Sequence, residues 1–370
     1  METTNTEFRE KKTPEQLDVA SKYAQVPNKE TVEYIVETIE NLVNIPSPSG
    51  FAHKAIEFVE KEAKKLGYSC EPVLKGGLII NVEGMSKEVI GLSAHVDTLG
   101  AMVRSVNSNG TLRFTSVGGF TMQSIEGSYC KIHTREGKVY EGTILSNSPS
   151  VHTFEDARTL DRKESNMHIR LDEIVNSKDD VMKLGIETGD YVSFNAQFCY
   201  TETGFVKSRH LDDKASVGVL LGLLKEMSEK GIKPQKTIKL LISNYEEVGF
   251  GASYLPSDIT EFIAVDMGAL GDDLNGTEYA VSICAKDSSG PYDYELTSRL
   301  IQIAKDKKLD YAIDIFPHYG SDVSSALRGG NNIKGALIGQ GIHASHGMER
   351  THRIALWNTL ELLKGYVAIQ

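Results

Sequence analysis

Apolar positions along KETVEYIVETIENLVNIPSPSG recur at helical spacing: Val32, Ile35, Val36, Ile39, Leu42 and Val43 share one face before Pro46, Pro48 and Gly50 break the pattern. The spacing predicts a helix there and a second over about Ala52 to Leu66, leading into the strand patterns GLIINVEG and EVIGLSAHVDTLG. From about Arg104 to Phe205 the period becomes two. NSNGTLRFTSV, GSYCKIHTREGKVYEGTIL and GDYVSFNAQFCYTETGFVKS read as short alternating strands with Gly and Asn turns, and helical signals nearly vanish. The earlier rhythm then returns. ASVGVLLGLLKEMSEKG reads as a helix, KTIKLLISNYE and ITEFIAVDMG as strands, and PYDYELTSRLIQIAKDKK as a helix; SDVSSALRGG, IKGALIG and IALWNTLELLKGYV follow as helix, strand and helix.

Such alternation predicts an α/β fold: a mostly parallel sheet covered by helices on both faces, with functional groups at the carboxyl ends of its strands. A small β-rich domain is expected as an insertion, dividing the chain into 1–103, 104–205 and 206–370. No internal repeat interrupts this plan, and 370 residues suffice for one large domain or two unequal ones.

Composition narrows the partners. A net charge of −11 with no basic stripe argues against nucleic acid and against an anionic membrane surface, leaving small molecules, peptides or other proteins. No apolar run reaches the roughly 18–20 residues of a membrane span. The polar opening METTNTEFREKKTPEQ has no apolar core of a secretory signal. Four scattered cysteines, Cys70, Cys130, Cys199 and Cys284, form no CxxC pair and suit a reducing cytoplasm.

The strand ends carry the chemistry. His95 and Asp97 in SAHVDTLG lie two residues apart, so both can aim at one site. Asp212 and Asp213 in RHLDDKAS open a helix, where acidic residues also belong for capping reasons alone. Asp266 in FIAVDMG ends an apolar strand, and a charge there should be paired or bound to a metal. His346 lies in the loop GIHASHGMERTH that follows another strand. Two histidines, several carboxylates and no cysteine suit a two-metal hydrolytic site in which one carboxylate bridges ions roughly 3.5–4 Å apart. Such a site also needs a proton acceptor that is not a ligand. The doubled carboxylate Glu246–Glu247 in ISNYEEVGFGAS offers both a ligand and a base, provided the backbone leaves the strand there, as Gly249 and Gly251 would permit.

The ordered motifs HVDTLG, LDDK, EEVGFGA, VDMG and the late His346 resemble the cytoplasmic dinuclear metallo-aminopeptidases of the glutamyl and tetrahedral aminopeptidase type, from about Glu30 to the C-terminus. The resemblance implies that His95 and Asp266 hold one metal with a bridging Asp212, and that Glu247 and His346 complete the second. It further implies that Glu246 is the general base, that Asp97 orients His95, and that Asp213 is structural. It implies two divalent ions per subunit, zinc foremost with cobalt or manganese also admissible, and a β-barrel dimerisation domain. Peptide substrates and a homo-oligomer, from dimer to dodecamer, follow from the same likeness. SHGMERTH departs from the commoner His-Ser-Pro wording of the family; the spacing of His346 to Glu349 favours it over His343 as the last ligand, and His352 falls at the start of the final helix. His133, His152, His168, His210 and His318 carry no ligand pattern and are expected mostly at surfaces or turns. Asp322 in HYGSDVSSA reads either as a substrate contact or as part of a helix cap.

Two rivals share these features. A dinuclear carboxypeptidase or N-acyl amino acid deacylase usually carries its extra domain after the fourth ligand, whereas this β-rich segment lies between His95 and Asp212. A catalytically silent scaffold of the same fold is disfavoured by the presence of every ligand-type residue and of the base.

Overall fold

The computed structural model describes residues 22–24 and 28–368; the polar leader ahead of them lies outside the described residues. Asn28 caps the first long helix, Lys29–Val43, through its side-chain oxygen and the Thr31 N–H, and the expected apolar face from Val32 to Val43 is buried against the helix Leu211–Lys230. That second helix is buried on nearly every side, which explains why its sequence is apolar all round. The other predicted helices form at His53–Lys65, Tyr294–Asp306, Asp322–Arg328 and Arg353–Tyr366.

The sheet is mixed rather than mostly parallel. At its centre Lys236–Ser243, Ser86–His95, Ile259–Val265 and Lys334–Ile342 are parallel neighbours in that order. Gly77–Val82 joins one side antiparallel, and Val281–Asp287 joins the other antiparallel. The edge pattern was not legible beforehand because neither Val281–Asp287 nor its partner Tyr311–Ile315 is a continuous apolar run: Ser282, Lys286, Asp287 and Asp314 interrupt them. Alternate residues feed separate cores. Ile238, Leu240, Ile263, Val265 and Ile338 pack in the larger one with the Leu211–Lys230 helix, while Leu241, Phe262, Ala264 and Leu337 meet Val323 and Ala326 of the Asp322–Arg328 helix. Burial on both faces is why these strands read as continuous apolar runs, and each fully buried aliphatic side chain contributes roughly 1.5–3 kcal/mol.

Six strands between Gly100 and Phe194 close into a barrel around Val103, Leu112, Phe114, Ile132, Ile144, Ile169 and Val192. Its first strand, Gly100–Val106, begins before the expected boundary at 104, because it continues directly from the loop after His95. The segment also holds a helix, Lys178–Leu184, started by the Ser177 cap and stopped by Gly185 at φ 84°. Beyond the barrel, Cys199–Tyr200 and Phe205–Ser208 form a separate three-stranded sheet with Glu349–His352, which returns the chain beside the His346 loop. All four cysteines are free, and no helix among the described residues is long and apolar enough to cross a membrane.

Candidate active site

Parallel pairing brings four carboxyl ends together. His95 is the last residue of its strand and pairs with Ser243, the end of a strand three residues before Glu246; Asp266 follows Val265, which pairs with Ile338 on the strand that leads to His346. The approach is close: a Cβ on Gly339 would stand 1.4 Å from the Asp266 carbonyl oxygen, so only glycine fits.

Glu246 and Glu247 do leave the strand. It ends at Ser243, Tyr245 takes a left-handed conformation (φ 72°), and Glu246–Val248 form a single 3₁₀ turn closed by Gly249 at φ 83°. Adjacent residues on such a turn no longer point to opposite faces. Gly251 has a different part: its α-carbon packs so tightly on the Asp322 carboxylate that a Cβ would meet Oδ1 at 2.0 Å.

Asp212 sits between the two histidines. Its Oδ1 is 3.2 Å from His95 Nε2, and its Oδ2 is 3.2 Å from His346 Nε2. His95 Nδ1 donates to the Asp97 carbonyl oxygen at 2.8 Å, and His346 Nδ1 donates to the Gly119 carbonyl oxygen at 2.5 Å. A carbonyl can only accept, so both Nδ1 atoms carry protons and both Nε2 atoms turn their remaining site toward Asp212. His346 Nε2 is also 3.5 Å from Glu247 Oε2, and His95 Nε2 is 3.7 Å from Glu246 Oε2. Ligand-type atoms of His95, Asp212 and Glu247 lie within 4.8 Å of one another, as do those of His95, Asp213 and Asp266.

Charge is crowded in this space. Burial pushes Glu247 up to about 8 and Asp266 up to about 7, the latter helped by the Asp212 charge; burial also lifts Glu246 and Asp213 well above the carboxylate range. Asp212 differs, since hydrogen bonds from His346 and His95 outweigh its burial and hold it far below that range. Burial works to lower both histidines, yet contact with Asp212 raises His95 well above its ordinary value and His346 to about 11. In the chain alone a proton occupies the gap between each Nε2 and the Asp212 oxygen it faces, and a metal ion can take that proton's place. Imidazole and carboxylate donors in this arrangement fit divalent metal ions of the zinc, cobalt or manganese kind.

The supporting groups were partly missed. Asp97 reaches His95 through its backbone carbonyl, with its carboxylate 3.6 Å from Nδ1. That carboxylate instead accepts from Ser49 Oγ at 2.5 Å and from the backbone N–H groups of Glu246 at 3.2 Å and Glu247 at 3.3 Å. Ser49 belongs to a loop tied down by Lys214, whose Nζ donates to the carbonyls of Leu42 and Ile45 at 2.9 and 2.8 Å. Asp213 Oδ2 accepts the His95 N–H at 3.1 Å while its Oδ1 has no protein partner. Glu349 accepts the N–H groups of both Asp212 and His346 at 3.0 Å, and burial pushes it up to about 8. No local pattern distinguishes such second-row partners from ordinary polar residues; only the SPSG turn and the spacing of Glu349 gave a signal.

Other sequence candidates fall elsewhere. His343 is exposed and bridges Arg350, and His352 caps the final helix while its Nε2 donates to Thr203. Contrary to expectation, His133 and His210 are buried, His133 against Ser193. Asp322 is 2% exposed and turned inward, where it accepts from Ser243 Oγ at 2.7 Å, so it does not line the cavity beside the site. That cavity, of about 530 Å³, is lined by Glu246, Glu247 and His346 together with Met267, Leu274 and Phe316.

A sheet with a parallel centre whose strand ends gather two histidines and a set of carboxylates beside an open cleft is the build of a metal-dependent hydrolase. Residues 76–362 match the M42 glutamyl aminopeptidase family. A Bacillus subtilis (strain 168) relative, "Putative aminopeptidase YhfE", is 47% identical over 339 residues, covering 91% of this chain and 98% of its own. Among solved structures, the TET aminopeptidase of the marine sediment archaeon Thaumarchaeota archaeon SCGC AB-539-E09 shares the fold with a TM-score of 0.82 at 17% identity, covering 91% of this chain and 97% of its own. The Pyrococcus horikoshii TET1 peptidase, described as able to assemble into a tetrahedron or a large octahedral shell, does so at 0.79 and 22%, covering 90% and 99%. The chain belongs to the M42 glutamyl aminopeptidase family. It is a peptide hydrolase, an aminopeptidase.

Proposed function

We propose that the protein removes N-terminal residues from peptides at a dinuclear site held by His95, Asp212 and Asp266 on one side and by Asp212, Glu247 and His346 on the other. The observation that carries this reading is the split of Asp212, one oxygen toward each histidine. Two divalent ions bound there supply Lewis acidity to a water and to the peptide carbonyl. Zinc is the first choice for this donor set, with cobalt and manganese also compatible.

Glu246 is the general base. Its carboxylate, 13% exposed, borders the cavity without sharing Asp212, and it takes a proton from the attacking water as the new C–O bond forms. The same carboxyl then gives that proton to the departing amine as the C–N bond breaks. Asp97 and Ser49 hold the turn bearing both glutamates, and Glu349 holds the backbone of Asp212 and His346. Residues 104–205 act as a dimerisation domain between the peptidase segments 1–103 and 206–370. Assembly of the Pyrococcus horikoshii relative supports a homo-oligomeric protein, and the free cysteines support a cytoplasmic one.

Initial rates on aminoacyl anilides, N-acylated peptides and metal-titrated enzyme test the reading. Glu246→Gln should keep its metal and lose about 10²- to 10⁴-fold in kcat, while Glu247→Gln should lose metal. Hydrolysis confined to N-blocked substrates would point to the deacylase alternative instead, and a silent scaffold would hydrolyse none.

A further inference from the structure

We infer that Tyr319 is a further catalytic residue, its phenol hydroxyl donating a hydrogen bond to the scissile carbonyl oxygen as that oxygen gains negative charge. This rests on the aminopeptidase reading above. Tyr319 lines the cavity along with Glu246, Glu247 and His346, and its hydroxyl lies 2.9 Å from the carbonyl oxygen of Met267, the residue after Asp266.

A donor is what that corner otherwise lacks. Carboxylates that hold metal ions are ionised and only accept, and the two imidazoles have spent their Nδ1 protons on the carbonyls of Asp97 and Gly119. Of the other donor side chains lining the cavity, Ser321 pairs with Tyr292, Arg328 reaches Ser289, and both Arg328 and His318 are exposed; Ser345 is the remaining hydroxyl. Tyr319 is also held firmly. Ser288 donates to its carbonyl oxygen from both N–H and Oγ, and its ring packs on Phe316 with centroids 5.1 Å apart. Turning the hydroxyl about its C–O bond moves the proton from Met267 to a substrate oxygen while the phenol oxygen stays in place. A preorganised neutral donor aimed at developing charge stabilises the transition state more than the bound peptide.

Tyr319→Phe is the test, measured on fully metal-loaded enzyme with the best aminoacyl anilide. The expected result is a fall in kcat of about 10²-fold with KM within about twofold, and with metal content and Tm unchanged. Affinity for a phosphinic pseudodipeptide, whose tetrahedral anion mimics the transition state, should fall with kcat, whereas affinity for the free amino acid product should hold. Tyr319→Met, which keeps an apolar body on Phe316 without the hydroxyl, should behave alike. A kcat within about threefold of wild type, a loss confined to KM, or a loss of metal overturns the assignment. A wild-type enzyme inactive on every N-terminally free substrate overturns the underlying reading instead, so the two failures are separable.

Discussion

Replacing Asp97 by asparagine isolates one carboxylate oxygen. The carboxylate accepts three hydrogen bonds: Ser49 Oγ and the Glu247 N–H on Oδ2, and the Glu246 N–H on Oδ1. In Asp97→Asn the Oδ1 acceptor remains for Glu246, and the Ser49 hydroxyl can rotate to accept from the new amide. The Glu247 N–H has no such escape and faces another donor. An orphaned donor costs about 1–3 kcal/mol when fully buried; this one is partly buried, so about 1–2 kcal/mol is expected. If the turn must be in place for the transition state, kcat/KM falls by about 5- to 30-fold. Because Glu247 itself moves, metal affinity should weaken in parallel, and added metal should recover part of the loss. Steady-state rates at rising metal concentration, with metal content measured on each sample, read both effects. An Asp97→Asn enzyme within twofold of wild type at limiting metal would refute the claim that the carboxylate holds the turn.

Three further outcomes are expected. Gly339→Ala drives a methyl into the Asp266 backbone in the middle of the sheet, where neither strand can yield, so unfolding free energy should fall by about 3 kcal/mol, read as a lower denaturation midpoint with an unchanged m-value. Burial lowers His133 to about 4, so it is neutral in the folded chain and stability is complete above its unfolded value near 6.5. As pH falls from 6.5 toward 4 the unfolded state gains the proton first; about 2–3 kcal/mol should be lost, after allowing for the solvent at its edge, and His133→Gln should remove that part of the pH dependence. Chelation should stop hydrolysis and lower Tm, since ions that bind only the folded chain stabilise it by about 2.7 kcal/mol at a hundredfold excess over Kd; a Tm indifferent to chelator would contradict the crowded-carboxylate account.

Much of the site is legible because strand ends are local events. His95, Asp266 and Glu246–Glu247 each follow an apolar run whose end can be read from neighbouring residues, and parallel pairing makes such ends coincide. The Lys29–Val43 face and the long Leu211–Lys230 helix were readable for the same reason, since hydrophobic period is a property of adjacent residues. Strands of broken apolar pattern such as Val281–Asp287 were not, and neither was the inward turn of Asp322, because both depend on what lies across from them.

Residue types and their order therefore determined the class of chemistry: imidazoles and carboxylates at four strand ends, with a spare glutamate beside one of them. Only the tertiary structure decided which atoms serve. It divides the two oxygens of Asp212 between histidines 134 residues apart in one direction and 117 in the other. It sets the Asp97 carboxylate on the Glu246–Glu247 turn rather than on His95, and it brings Gly119 from the barrel to hold His346. Hydrogen bonds are made at about 3 Å between groups that the chain keeps far apart, and the energy of each depends on partners no local pattern contains.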